Sequence, residues 1–116
     1  MLEIDHRGLA ADTSLIVLRG KLMLGPELAP LEALVPELLA AGNRNLVFDL
    51  SGVTHIDSTG MGRFIDAYGR LEKIGGTMLL AGASGAVRDI FRITRLDTVF
   101  TFSPTVEAAR AQLKLS

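Results

Sequence analysis

Residues 46–62 read Leu46-Val47-Phe48-Asp49-Leu50-Ser51-Gly52-Val53-Thr54-His55-Ile56-Asp57-Ser58-Thr59-Gly60-Met61-Gly62. The first five form a short, almost wholly apolar run, which suits a central strand buried on both faces. Ser51 to Asp57 reads as a loop too long for a tight turn. A helix is expected from Ser58, because Met61, Phe64, Ile65, Tyr68, Leu71 and Ile74 recur at helical spacing while Arg63, Asp66, Arg70 and Lys73 lie off that stripe. Gly75-Gly76 closes it. A buried strand that passes through a loop into an amphipathic helix is the building unit of α/β proteins.

The flanking sequence repeats the unit. Upstream, Leu2, Ile4 and His6 alternate with Glu3, Asp5 and Arg7, a half-exposed strand; Gly8 to Thr13 reads as a turn, and Ser14 to Arg19 as a second strand. Gly25-Pro26-Glu27 signals helix entry, and Leu28, Leu31, Leu34, Val35, Leu38 and Leu39 follow at helical spacing. Pro30 and Pro36 imply either a start as late as Ala29 or a kink at Pro36. Gly42-Asn43 ends this helix. Downstream, Thr77 to Ala81 is another buried strand, and Gly82 to Gly85 turns into a short helix carrying Val87, Ile90 and Phe91. Thr98 to Phe102 reads as a last strand. Ser103-Pro104 is expected to open a final helix that packs through Val106, Ala109 and Leu113. The order β-β-α-β-α-β-α-β-α predicts a sheet whose later strands are parallel and joined by right-handed crossovers.

Composition narrows the function classes. The 116 residues suit one domain, 1–116, without repeats or linkers. Aromatic residues make up only 5%, so an aliphatic core is expected. Twelve basic against 13 acidic residues leave a formal charge of −1, without the basic excess a nucleic-acid binder uses on phosphates. There is no cysteine, which excludes disulfides, thiolate zinc sites and cysteine nucleophiles. No stretch has the unbroken apolar length of a membrane helix, and the acidic start Met1-Leu2-Glu3-Ile4-Asp5 does not read as a secretory signal. A soluble, cytoplasmic protein is expected.

The candidate site is Ser58. Its simplest role is to cap the helix that follows. Three features point further. The position lies at the carboxyl end of a sheet strand, where open α/β folds tend to act. Gly60 and Gly62 both fall in the first helical turn, where each costs about 1 kcal/mol against alanine, which suggests a close approach to the backbone or a steric need inside the fold. The hydroxyls of Ser58 and Thr59 sit beside the Asp57 carboxylate, so an added phosphate would meet helix amides that favour it and a charge that repels it. Rival chemistries are poorly served. His55, Asp57, Asp49 and Ser58 lack the Gly-x-Ser-x-Gly elbow of a serine hydrolase, and His55-x-Asp57 is an incomplete metal site. Asp49 as a receiver aspartate would need an early acidic pair for Mg²⁺, where this chain has His6-Arg7-Gly8.

The stretch from Leu46 to Gly62 resembles the signature of STAS domains, the family of anti-sigma factor antagonists: an apolar strand ending in Asp-Leu, a loop, then Asp-Ser-(Ser/Thr)-Gly-(Leu/Met)-Gly. Gly75-Gly76 before a strand and Val87-Arg88-Asp89-Ile90-Phe91 extend the likeness over roughly residues 14 to 113. The resemblance implies a STAS-type α/β domain with a mixed sheet of about five strands and helices mainly on one face. It implies a non-enzymatic phosphoprotein of bacterial signalling that regulates transcription through protein binding. The unphosphorylated form would bind an anti-sigma factor that is also a serine/threonine kinase, freeing a sigma factor. Phosphorylation at Ser58, or at Thr59, would release that partner, and a phosphatase would restore the first state. ATP would belong to the partner; no cofactor, metal or catalytic residue is expected in this chain, nor nucleic-acid binding or membrane insertion. The partner surface would comprise Lys21, Met23, His55, Asp57, Ser58, Thr59, Gly60, Met61 and Gly62. Members of the family also serve as constitutive adaptors, on transporters or in stressosome-like scaffolds, and there Ser58 would be only a helix cap. Two positions depart from the usual pattern: Met23 stands where many antagonists carry an acid after Gly20-Lys21-Leu22, and Arg95 replaces a glycine before leucine. The oligomeric state is left open.

Overall fold

A computed structural model describes residues 1–115. Five strands form one sheet in the order β1-β2-β3-β4-β5: β1 (Leu2–Ala10), β2 (Thr13–Leu22), β3 (Asn45–Ile56), β4 (Thr77–Ala81) and β5 (Thr101–Ser103). The β1–β2 hairpin is antiparallel, and β2 through β5 run parallel. The connecting helices are α1 (Ala29–Ala40), α2 (Ser58–Lys73) and α3 (Gly85–Ile93), with α4 (Val106–Gln112) following β5. This is the mixed five-stranded α/β sheet that the alternation of patterns implies.

The two faces of the sheet are unequal. Ile16, Leu18, Leu46, Phe48, Leu50 and Leu80 point to the face covered by α1, α2 and α3. Leu15, Val47, Leu79 and Ala81 point to the other, where Ala109, Val106 and Leu113 of the α4 segment cover them. Strand β3 is therefore apolar on both sides, the reason its sequence runs unbroken from Leu46 to Phe48. The core is mainly aliphatic, yet Phe48, Phe64 and Phe91 are its largest fully buried side chains. Phe64 meets Phe48 edge-on at 5.2 Å between ring centres and Phe91 at 5.8 Å, joining β3, α2 and α3. Aromatic pairs at such spacings contribute about 1 kcal/mol beyond their buried area.

Several boundaries differ from the sequence expectation. One agrees: helix α1 proper starts at Ala29, the late start that the prolines allowed, after a 3-10 turn over Pro26–Leu28, and it continues through Pro36. Ser51 to Ile56 is not a loop but the second half of β3, paired only with β2, from Arg19↔Gly52 to Leu22↔Ile56. The last strand does not begin at Thr98, because Leu96–Thr98 forms a 3-10 turn and only Thr101–Ser103 pairs with β4. Ser103 does not cap α4. It is buried in β5, and Thr105 is the cap, its Oγ1 accepting from the Ala108 amide at 3.0 Å.

Candidate functional site

The extension of β3 carries the chain seven residues beyond its last pairing with β4. Strand β4 ends at Ala81, opposite Asp49, whereas β2 and β3 go on together to Leu22 and Ile56. Helix α2 starts from this projecting end. Its N-cap is Asp57, not Ser58: Asp57 has the extended backbone of a cap (φ −114°, ψ −175°), and its Oδ1 accepts from the Gly60 amide at 2.9 Å. The second carboxylate oxygen, Oδ2, accepts from the Leu24 amide at 2.8 Å. The Asp57 amide in turn donates to the Leu22 carbonyl at 3.1 Å. One aspartate thus clasps the segment after β2 to the first turn of α2. The Leu24 amide, followed by the Gly60 amide, holds its carboxyl below the ordinary value of 3.8.

Since Asp57 does the capping, Ser58 is relieved of it. Ser58 is the first residue of the helix, is exposed, and its hydroxyl has no hydrogen-bond partner among the described residues. The reading of Ser58 as only a helix cap is thereby corrected. Thr59, next in the turn, is half-buried.

The two glycines separate cleanly. A Cβ on Gly60 would lie 2.1 Å from the Leu22 carbonyl oxygen, so the close approach of α2 to β2 requires glycine there. Around Gly62 nothing lies within 4 Å, and the fold places no steric demand on it. Met61 is buried in the main core and presents no side chain to solvent. Gly60 is buried as well, so of the expected partner surface these two shape the site from beneath.

The remaining expected residues gather on the projecting end. Lys21 and His55 are register neighbours on β2 and β3, both exposed. Met23 and His55 line an apolar cleft of about 130 Å³ whose far wall is Val87 and Ile90 of α3. Leu24, 79% exposed, stands beside it, and Ile93 on α3 is 75% exposed. Sequence reading assigned none of Leu24, Val87, Ile90 or Ile93 to the site. Leu24 carried a signal, as an apolar residue standing between the end of a strand and a helix-entry glycine. Met23 and Leu24 thus expose apolar side chains at the end of the sheet from which α2 starts.

The residues of the rival chemistries have other partners. His55 Nδ1 lies 2.9 Å from Thr54 Oγ1 and makes no hydrogen bond to Ser58. Asp49 sits within β3 and accepts from the Ser51 amide and hydroxyl at 3.0 and 2.8 Å. No group of three or more metal-ligating side chains comes together among the described residues. No helix among them is long and apolar enough to cross a membrane.

Comparison with known proteins gives a consistent picture. An anti-sigma factor antagonist from Mycobacterium paratuberculosis superposes with a TM-score of 0.82 at 25% identity, over 98% of this chain and 95% of that one. The anti-sigma factor antagonist SpoIIAA in its unphosphorylated form gives 0.78 at 18% identity, over 97% and 98%. The Bacillus cell fate determinant SpoIIAA in the phosphorylated form gives 0.75 at 18% identity, over 94% and 98%. The model of the STAS domain matches residues 12–109, from the end of the β1–β2 turn to the buried Ala109 of α4, and the chain belongs to the STAS domain family.

Proposed function

We propose that this protein is a cytoplasmic anti-sigma factor antagonist acting as one domain, and that Ser58 is its phosphorylation switch. The observation that carries this reading is the Ser58 hydroxyl, exposed and unbonded at the first position of α2, beside the apolar cleft and the exposed side chains of Met23 and Leu24. In the unmodified state this end of the molecule docks an anti-sigma factor with serine/threonine kinase activity, and the sigma factor is released. Lys21, Met23 and His55 supply contacts on one side of Ser58, and Thr59 and Gly62 on the other. The kinase brings ATP; this chain is substrate and ligand, not enzyme. A phosphate on Ser58 adds between one and two negative charges beside Asp57 and makes docking unfavourable. A phosphatase resets the switch.

Two solved neighbours support the reading by what they are: an antagonist in an unphosphorylated form and a phosphorylated form, both with this fold. The test is binding of wild type, Ser58→Ala and Ser58→Glu to the cognate kinase, with phosphosite mapping after incubation with ATP. Wild type and Ser58→Ala should bind alike, Ser58→Glu at least tenfold more weakly, and label should fall on Ser58. Equal affinity of all three would remove the switch and leave a constitutive adaptor.

A further inference from the structure

The two edges of the sheet are treated differently. Strand β5 is three residues long, while β1 runs for nine residues with no proline and no lysine. Natural sheets commonly blunt such an edge by shortness, proline, charged side chains or a bulge; β1 carries charges of both signs and a single register shift, between Gly8 and Ala10 at its far end. Here the outward backbone groups can be assigned. The Lys21 amide donates to the Met1 carbonyl at 3.1 Å, which turns Met1 towards β2. By antiparallel alternation Glu3, Asp5 and Arg7 also face β2, and Leu2, Ile4, His6 and Gly8 direct their amides and carbonyls outward. The outward assignment agrees with the Leu2 amide, which donates to Glu27 Oε1 at 3.1 Å. Among the described residues Glu27 covers that first group, and the outward groups of Ile4, His6 and Gly8 have no partner.

We propose that this open edge pairs with β1 of a second copy of the chain, antiparallel and centred on His6. The occupant is selected by charge. On the α4 side of the sheet the strand presents Glu3, Asp5 and Arg7 in sequence. When His6 lies opposite His6 of the second copy, Asp5 lies opposite Arg7 of the other chain, twice by symmetry, and Glu3 lies opposite the apolar Leu9. Sliding the pair by two residues either way sets Asp5 against Asp5 or Arg7 against Arg7. Among these registers only the His6-centred one opposes unlike charges without also opposing like ones, and cross-strand charge pairs favour or oppose a register accordingly. Asp5 already holds Arg19 at 3.1 Å within its own chain, so the second arginine completes a carboxylate between two guanidinium groups. Ile4, His6 and Gly8 would exchange amide–carbonyl bonds with Gly8, His6 and Ile4 of the second copy. Such a two-fold pair is closed and uses up the long edge.

The test is sedimentation equilibrium of the full chain at high micromolar concentration, with far-UV circular dichroism as a control for folding. Wild type should show twice the monomer mass. His6→Pro removes an outward amide and none that β2 uses, so it should stay folded and become monomeric. Asp5→Arg and Arg7→Asp should each weaken association roughly tenfold or more, and the double variant Asp5→Arg/Arg7→Asp should restore it. A monomeric wild type, or a dimer that survives His6→Pro, would overturn edge pairing. A dimer indifferent to both single reversals would overturn the register, and the charge reversals stand as tests even if the proline variant unfolds.

Discussion

Removing the Asp57 side chain should destabilise the domain far more than removing the Ser58 hydroxyl next to it. Asp57→Ala deletes the acceptor of the Gly60 amide and the acceptor of the Leu24 amide. The first is an N-cap, worth about 1 kcal/mol. The second is a hydrogen bond to a charged group, which contributes about 1.5–3 kcal/mol at full value. At this exposed position water replaces part of it, so about 1 kcal/mol is the appropriate share. The sum is about 2 kcal/mol. An unfolding entropy of about 2.1 cal/mol/K per residue converts this, over 116 residues, to a fall in Tm of roughly 8 °C. Asp57→Asn keeps one carbonyl oxygen and can serve only one of the two amides, so about half the loss is expected. Ser58→Ala breaks no hydrogen bond and should stay within about 0.5 kcal/mol of wild type. Urea melts and calorimetry on the four proteins decide the matter. If Ser58→Ala were as damaging as Asp57→Ala, Ser58 would be the cap and its hydroxyl would not be free.

The clasp should also depend on pH. Because the Asp57 carboxyl titrates below 3.8 in the folded chain, its contribution is full above that value and is lost as pH falls through the lowered folded value; the stability gap between wild type and Asp57→Asn should be flat near neutrality and close in strong acid. Gly60→Ala drives a methyl into the Leu22 carbonyl and should cost about 3 kcal/mol or prevent folding, whereas Gly62→Ala meets nothing and should stabilise the isolated domain by up to about 1 kcal/mol in urea melts. Arg95 holds a left-handed backbone at φ 64°, which costs a non-glycine residue about 1–2 kcal/mol, so Arg95→Gly should gain about 0.5–1 kcal/mol after the extra chain entropy of glycine, raising Tm by a few degrees.

The contrast between Gly60 and Gly62 shows how much of this molecule could be read without coordinates. Strands buried on both faces and helices with one apolar stripe leave a periodicity in the sequence, and the order of elements follows from it. The far half of β3 leaves none. It pairs on one side only, and at two register shifts, opposite Val17/Arg19 and Gly20/Lys21, β3 takes up one extra residue, which breaks its alternation. Val53 and Ile56 are therefore buried three residues apart, a spacing that reads as a loop. The cap was ambiguous for a different reason. Asp57, Ser58 and Thr59 are all residue types able to cap, and only the extended backbone of Asp57 distinguishes them. Ser103 and Thr105 repeat the ambiguity before α4. Arg95 stood out as a departure from a family glycine, and its left-handed backbone gives the physical reason for a glycine there. Val87 and Ile90 join the site only through tertiary proximity, which no local pattern encodes.

The geometry at Ser58 also fixes how a phosphate there would have to act. At the first helical position it would gain about 0.3–1 kcal/mol from the helix dipole. That gain is limited because Asp57 already occupies the Gly60 amide. Against it stands the Asp57 carboxylate, at a cost of about 1 kcal/mol per unit charge at 4 Å in water. With between one and two charges on the phosphate the net is a cost of about 1 kcal/mol in the free protein, so phosphorylation should lower its stability only slightly. A docked partner alters the balance. Excluding water from the patch around Met23 and Leu24 lowers the effective dielectric, and the same repulsion grows to about 4 kcal/mol. On the proposed function the switch would therefore reside in the complex and not in the fold. Phospho-Ser58 protein should melt within a few degrees of the unmodified protein and keep its amide spectrum outside the first turn of α2, while its affinity for the kinase falls by a hundredfold or more, about 3 kcal/mol. A large loss of stability on phosphorylation, with the Leu24 amide released from Asp57, would refute this and place the switch in an opening of the clasp.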